Sequence, residues 1–89
     1  MLKISFSKSS QKILRSPPPK HKHQCALKIQ ALRLNPLPQD SKLLKGTSFF
    51  RCDMGEYRIV YQHNTEILII ILIDKRNDDR IYRRLSRLN

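Results

Sequence analysis

A chain of 89 residues is long enough for one small domain and too short for two stable cores. Eighteen lysine and arginine residues against seven acidic residues give a net charge of +11. This excess attracts polyanions at long range, so nucleic acid is the leading class of partner and an acidic protein the second. The longest apolar run, residues 67–73, is far shorter than the roughly 20 residues of a membrane span, so we expect no membrane partner.

The N-terminus lacks the continuous apolar segment of a secretory signal. Leu2, Ile4 and Phe6 alternate with polar residues, which predicts a half-buried strand. Residues 9–15 predict a short helix, and the prolines at 17–19 impose an extended break after it. Because the N-terminus shows no secretory signal, we expect a cytoplasmic protein.

A second helix is predicted from about Lys20 to Leu34. Cys25, Ile29 and Leu32 fall at i, i+4 and i+7, which is the spacing of one buried helix face. The Asn-Pro pair that follows ends the helix, and residues 37–45 are predicted to be a connector.

Two strands joined by a tight turn are predicted next, because the pattern after Thr47 has a period of two. Gly55 and Glu56 suit a two-residue hairpin turn, in which glycine supplies the first central position. This turn places Asp53 opposite Arg58, close enough for a cross-strand ion pair. One face then collects Phe50, Cys52, Met54, Tyr57, Ile59 and Tyr61, and the other collects Arg51, Asp53, Arg58 and Gln62.

The last two predicted elements are a strand at residues 66–74 and a basic helix at residues 77–88. The strand is apolar without alternation, as expected for a strand covered on both faces near the centre of a sheet. The whole pattern predicts a single α+β domain over residues 1–89. Its expected order is an N-terminal strand, two helices, a three-stranded antiparallel meander that makes a four-stranded sheet in all, and a short C-terminal helix.

Neither the cysteines nor the histidines predict a disulfide or a metal site. Cys25 and Cys52 fall in a predicted helix and strand, and we expect both thiols to be reduced. His21, His23 and Cys25 stand at i, i+2 and i+4, which does not bring three side chains to one helix face. Neighbouring lysines would also repel a cation, so we expect no metal and no cofactor.

The segment KLLKG leads into F-R-x-x-x-G-x-Y-R-I-x-Y, and K-R-x-x-x-x-x-Y follows. Together with the predicted order of elements, these motifs resemble the RelE/ParE toxin superfamily over nearly the whole chain. The resemblance implies a RelE-like fold and the toxin of a bacterial type II toxin–antitoxin module, with a cognate acidic antitoxin in a hetero-oligomer. RelE-type members are ribosome-dependent endoribonucleases that cut mRNA without metal, so ribosome and mRNA are expected partners. ParE-type members share the fold and poison DNA gyrase.

The resemblance also assigns site residues. Arg58, Arg76 and Tyr82 are the expected catalytic residues. Arg51, Lys45 and Lys75 are the expected substrate-binding residues, although Lys45 is equally well explained as an exposed loop charge. Asp53 departs from the family pattern, because RelE-type enzymes carry a second cation at this position.

Three alternatives remain open. Arg51 and Arg58 can simply solvate an exposed sheet face, with Asp53 pairing to Arg58. The chain can also be a gyrase inhibitor of the ParE type, or a catalytically weakened module that only binds its antitoxin.

Overall fold

The chain folds into a mixed β-sheet with a helix packed on one face, and the computed structural model describes residues 1–8, 10–11, 19–75 and 83. The elements in chain order are β1 (Lys3–Phe6), α1 (Pro19–Leu34), β2 (Lys42–Leu43), β3 (Phe50–Met54), β4 (Tyr57–His63) and β5 (Ile67–Lys75). The strand order across the sheet is β1-β5-β4-β3-β2. β1 runs parallel to β5, and every other neighbouring pair is antiparallel. The α+β class is therefore confirmed.

β5 lies inside the sheet, between β1 and β4, as its unbroken apolar sequence predicts. Leu68, Ile70 and Ile73 belong to the core on the helix side of the sheet. Leu72 is buried in a second cluster on the opposite side. Side chains of β5 are thus buried on both faces of the sheet.

The sheet has five strands, so the prediction of a four-stranded sheet is wrong. The additional strand, β2, pairs with β3 through Lys42 opposite Arg51 and Leu43 opposite Phe50. Both residues of β2 are exposed, and two residues cannot show an apolar alternation. Only the pairing with β3 defines this strand, which is why the segment reads as a connector in the sequence.

The predicted hairpin between β3 and β4 is confirmed residue by residue. Met54 pairs with Tyr57, and Asp53 pairs with Arg58. Gly55 has a φ of +58°, a conformation that costs glycine little and L side chains more. A two-residue turn with this backbone sets the register, and the register sets which side chains share a face.

A β-bulge at Ile71 decides the faces of the C-terminal half of β5. Val60 pairs with Leu72 but Tyr61 pairs with Ile70, so Ile71 is the extra residue. Without it, continuation from Tyr61 would place Asp74 on the helix side. The Ser7 hydroxyl donates a hydrogen bond to the Ile71 carbonyl. The residue that follows β1 therefore stabilises the backbone at the bulge.

The helix-side core contains the apolar stripe that the sequence predicts for α1. Its buried members from α1 and the strands are Cys25, Ile29, Leu32, Cys52, Met54, Tyr57, Ile59, Tyr61, Leu68, Ile70 and Ile73. Leu2, Ile4, Phe6 and Phe50 pack at its margin. Both cysteines are buried free thiols.

The remaining predicted helices fall largely outside the described residues. Of residues 9–15, Ser10 and Gln11 are described and helical, and the Ser7 hydroxyl caps this turn by accepting a hydrogen bond from the Ser10 amide. Of residues 77–88, Arg83 is described and helical. Within the described ranges, no helix has the length and apolar character needed to cross a membrane.

Truncation of α1 side chains tests which face of the helix supports the fold. Leu32→Ala is expected to lower the free energy of unfolding by about 2–5 kcal/mol, because Leu32 is completely buried in the helix-side core. Leu34→Ala is the matched control, with a side chain 70% exposed, and is expected to cost under about 1 kcal/mol. Urea unfolding followed by circular dichroism measures both, and equal costs would contradict this packing.

Candidate nucleic-acid interface

Arg58 lies between two carboxylates on the sheet face opposite α1, which we call the arginine face. It is paired with Asp53 of β3 on one side and with Asp74 of β5 on the other. Its Nε donates to Asp53 Oδ1 at 2.7 Å, and its Nη2 donates to Asp53 Oδ2 at 3.5 Å. The predicted cross-strand ion pair is present, and the Arg58 side chain is only 16% exposed. The Asp53 carboxylate therefore fixes the position of this guanidinium and neutralises its charge.

Asp74 is a member of this face that the sequence analysis did not identify. The residue is 3% exposed, and its Oδ1 accepts a hydrogen bond from the Lys75 amide at 2.7 Å. Asp53, Arg58 and Asp74 lie in one row of paired residues, and Asp53 forms the ion pair with Arg58. Asp74 directly follows the apolar run, but only the bulge at Ile71 turns it toward Arg58.

The neighbouring row of the arginine face contains two cations. Arg51 pairs with Lys42 of β2 on one side and with Val60 of β4 on the other. Directly paired residues of an antiparallel sheet present their side chains on the same face, a few ångströms apart. Among the described residues, Arg51 makes no salt bridge. The uncompensated positive charge of this face therefore concentrates at its β2 side.

An apolar patch adjoins these cations. Leu44, Val60 and Leu72 are buried there, and the partly buried Phe49 and Ile71 pack against them. Val60 is the pairing partner of Arg51, which places this patch on the arginine face. The face is thus a basic row beside an apolar surface, rather than a uniform field of charge.

The other predicted site residues are placed as follows. Lys45 is exposed in the loop between β2 and β3, next to the buried Leu44. Lys75 is exposed at the end of β5 and pairs with Tyr57, a residue of the helix-side core, so it does not share the face of Arg51 and Arg58. Arg76 and Tyr82 lie outside the described residues.

Ionisable groups on the helix side serve packing. Burial raises the pKa of the Cys25 thiol to about 11 and that of the Tyr61 phenol to about 12. The Tyr61 hydroxyl donates to the Pro36 carbonyl at 2.6 Å. Burial also raises the pKa of the Cys52 thiol. These groups stay protonated at neutral pH and are unsuited to nucleophilic roles.

Lys28 and Asp40 form a second ion pair, at 2.7 Å, between α1 and the connector. Burial is the largest single effect and disfavours the charged ammonium, but the hydrogen bond and charge of Asp40, together with the nearby Cys52, outweigh it, so the pKa of Lys28 is raised. The same hydrogen bond lowers the pKa of Asp40. Both groups are therefore charged at neutral pH, and the pair tethers the connector to the helix.

The histidine-rich start of α1 does not assemble a ligand set. His23 is exposed, whereas Cys25 is buried in the core, so the two side chains point apart. In the part of the chain that the structure describes, no group of three histidine, cysteine or acidic residues is arranged to hold a metal ion.

Neither a protein-family model nor a curated protein matches this sequence, but solved structures match its fold. RelE of the archaeal RelE–RelB complex from Pyrococcus horikoshii is 25% identical, with a TM-score of 0.75 over 85% of this chain and 96% of that one. A double mutant of E. coli RelE in the free state is 18% identical, with a TM-score of 0.80 over 99% and 98% of the two chains. A YoeB/ParE toxin from Agrobacterium tumefaciens is 16% identical, with a TM-score of 0.74 over 85% and 100%.

These likenesses define the fold as that of small α+β toxins with a helix-covered mixed sheet. More particularly, the chain has the fold of the RelE/ParE toxin superfamily, and the resemblance carried by its sequence motifs is confirmed.

Removal of one carboxylate tests how firmly Arg58 is held. Asp53→Asn is expected to lower the free energy of unfolding by about 1–3 kcal/mol, because it removes the carboxylate that accepts the hydrogen bonds of the mostly buried Arg58 guanidinium. Asp40→Asn is the control, since Asp40 is 51% exposed and its pair should contribute under about 1 kcal/mol. Chemical unfolding at two salt concentrations measures both, and a smaller loss for Asp53→Asn than for Asp40→Asn would refute the assignment.

Proposed function

We propose that this chain is the toxin of a type II toxin–antitoxin module and a RelE-type, ribosome-dependent endoribonuclease. It would cut mRNA by using the RNA's own 2′-hydroxyl as nucleophile, without metal or cofactor. The observation that carries the proposal is the combination of a RelE fold with Arg51 and Arg58 on one face of its sheet. Several of the similar structures are RelE–RelB toxin–antitoxin complexes, which supports an antitoxin partner for this chain.

Cleavage of this kind needs cations that stabilise the negative charge developing on the phosphorane. A guanidinium suits this task, since it stays charged and its fork of donors matches phosphate oxygens. Arg51 is free of salt bridges among the described residues and is the proposed phosphate-positioning residue. Lys45 is proposed to extend the substrate path from the adjoining loop.

Arg58 is proposed to stabilise the transition state with the donors that Asp53 leaves free. A guanidinium has five N–H donors, and the contacts with Asp53 occupy the Nε–H and one Nη2–H. Three donors remain for phosphate oxygens. In this reading Asp53 orients Arg58 and does not block it.

The family resemblance supplies the remaining roles. Arg76 is proposed as a second transition-state cation, and Tyr82 as a proton acceptor or a stacking platform for a base. Lys75 is proposed to contact the substrate from the strand end.

Inhibition of DNA gyrase is the second candidate function. A YoeB/ParE toxin is among the similar structures. The family resemblance also implies that Asp53 replaces a cation of the RelE-type site. A gyrase poison needs a binding surface and no catalytic set, so this substitution would cost it nothing. An antitoxin-binding module without activity is the third possibility.

Mapping of mRNA cleavage tests the proposal. In a translating extract, primer extension should reveal cuts that depend on this protein, and Arg51→Ala should slow cleavage about 100-fold because a phosphate donor is lost. The double variant Arg76→Ala with Tyr82→Phe should slow it at least as much. Lys22→Ala is the charge-matched control, since Lys22 is exposed on α1 and should leave cleavage unchanged.

The outcomes separate the candidates. Full activity of the Arg76 and Tyr82 double variant would refute those two roles. Absence of cleavage by the wild type together with inhibited supercoiling by gyrase would favour the second candidate. Absence of both activities would leave the antitoxin-binding module.

Binding of the antitoxin should weaken with salt. The chain carries a net charge of +11, and an acidic segment that folds on this surface would neutralise part of it. Calorimetric titration of the antitoxin from about 50 to 500 mM salt should therefore give a falling affinity, since charges at a surface are screened over about 10 Å at 0.1 M. A flat salt dependence would contradict an electrostatic contribution.

A further inference from the structure

Phe49 is distinctive among the aromatic side chains of the protein. Within the described residues, the rings of Phe6, Phe50, Tyr57 and Tyr61 belong to or pack against the helix-side core. Phe49 instead packs against Leu44, Val60 and Leu72, on the arginine face. It is only partly buried, so part of the residue remains exposed.

Both backbone polar groups of Phe49 form hydrogen bonds. Its amide donates to the Thr47 hydroxyl at 3.0 Å, and its carbonyl accepts from the Leu44 amide at 2.8 Å. The Thr47 hydroxyl in turn donates to the Leu44 carbonyl at 2.8 Å. Together with the buried neighbours beneath the ring, these bonds fix the position of Phe49 before any ligand arrives.

Cations flank this ring. Arg51 follows two residues later on the same face, about 7 Å along the strand. Lys42 lies across from Arg51, and Lys45 occupies the loop that precedes Phe49. An accessible ring beside basic side chains is the arrangement with which proteins bind single-stranded nucleic acid, through stacked bases and paired phosphates.

We propose that Phe49 is a stacking platform for one unpaired nucleobase of single-stranded RNA, whose backbone phosphate is held by Arg51 and Lys42. This inference rests on the proposed function, and adds to it a base-contacting residue and a second phosphate contact. Stacking tolerates any base, so the platform supplies affinity and position along the strand rather than sequence choice.

The alternative role for Phe49 is purely structural, as a cover over Val60 and Leu72. The adjacent residue separates the two roles. Phe50 has the same ring, but it lies on the helix side of the sheet, where its centroid is 6.0 Å from that of Tyr61. Loss of either ring removes apolar packing, whereas only loss of Phe49 removes a base contact.

The test measures binding of the purified protein to a single-stranded RNA hexamer that is fully 2′-O-methylated and therefore cannot be cleaved. Fluorescence anisotropy is recorded with and without ribosomes. Phe49→Leu keeps an apolar side chain and is expected to weaken binding about tenfold, while Phe49→Tyr keeps the ring and should bind within about twofold of wild type. Phe50→Leu should leave affinity unchanged within about twofold, even where it lowers thermal stability.

A series of hexamers with one abasic position gives a readout that packing alone would not move. For wild type and Phe49→Tyr, removal of the base at one position of the series should weaken binding about tenfold. For Phe49→Leu, removal of the same base should cause no further loss of affinity. Comparison of the natural and abasic hexamers on wild-type protein keeps the test decisive where Phe49→Leu fails to fold.

Each result has one reading. Equal binding by Phe49→Leu and wild type, with loss on Arg51→Ala, overturns the platform and leaves the proposed function standing. Equal loss in Phe49→Leu and Phe50→Leu, or a flat abasic series on wild type, also overturns the platform. Folded wild-type protein that binds no RNA with or without ribosomes overturns the proposed function, and the platform with it.

Discussion

The bulge in β5 is the constraint on which the rest of this structure depends. β5 pairs with β1 on one side and with β4 on the other, and the extra residue, Ile71, reverses the facing of every residue after it. The reversal sends Ile73 into the helix-side core and Asp74 toward Arg58. The Ser7 hydroxyl donates a hydrogen bond to the Ile71 carbonyl, so the segment that follows β1 contacts the bulge directly.

Positive charge is distributed unevenly over the arginine face. In one row Arg58 is ion-paired with Asp53, while the row of Arg51 and Lys42 is positive. Arg58 keeps only the donors that its contacts with Asp53 leave free. A chain with a net charge of +11 thus keeps one of its arginines internally neutralised, which reduces self-repulsion in the folded state.

The sheet also separates the main core from the arginine face. Helix α1 and the apolar residues of four strands form the core on one side, where burial raises the pKa values of Cys25, Cys52 and Tyr61 and keeps them protonated. The opposite face has a small apolar cluster that supports its basic row. Adjacent phenylalanines at positions 49 and 50 belong to different sides for the same reason, the two-residue repeat of a strand.

The sequence by itself determined the elements whose physical cause is local. The spacing of Cys25, Ile29 and Leu32 predicts the buried face of α1, and the Gly55 turn predicts the pairing of Asp53 with Arg58. Tertiary structure alone decided the rest. β2 exists only through its pairing with β3, because two exposed residues have no periodicity of their own. The bulge in β5 decides on which face Asp74 lies, and with it which charged groups surround Arg58. The sequence does not reveal this bulge, because seven consecutive apolar residues fit either face of a sheet equally well.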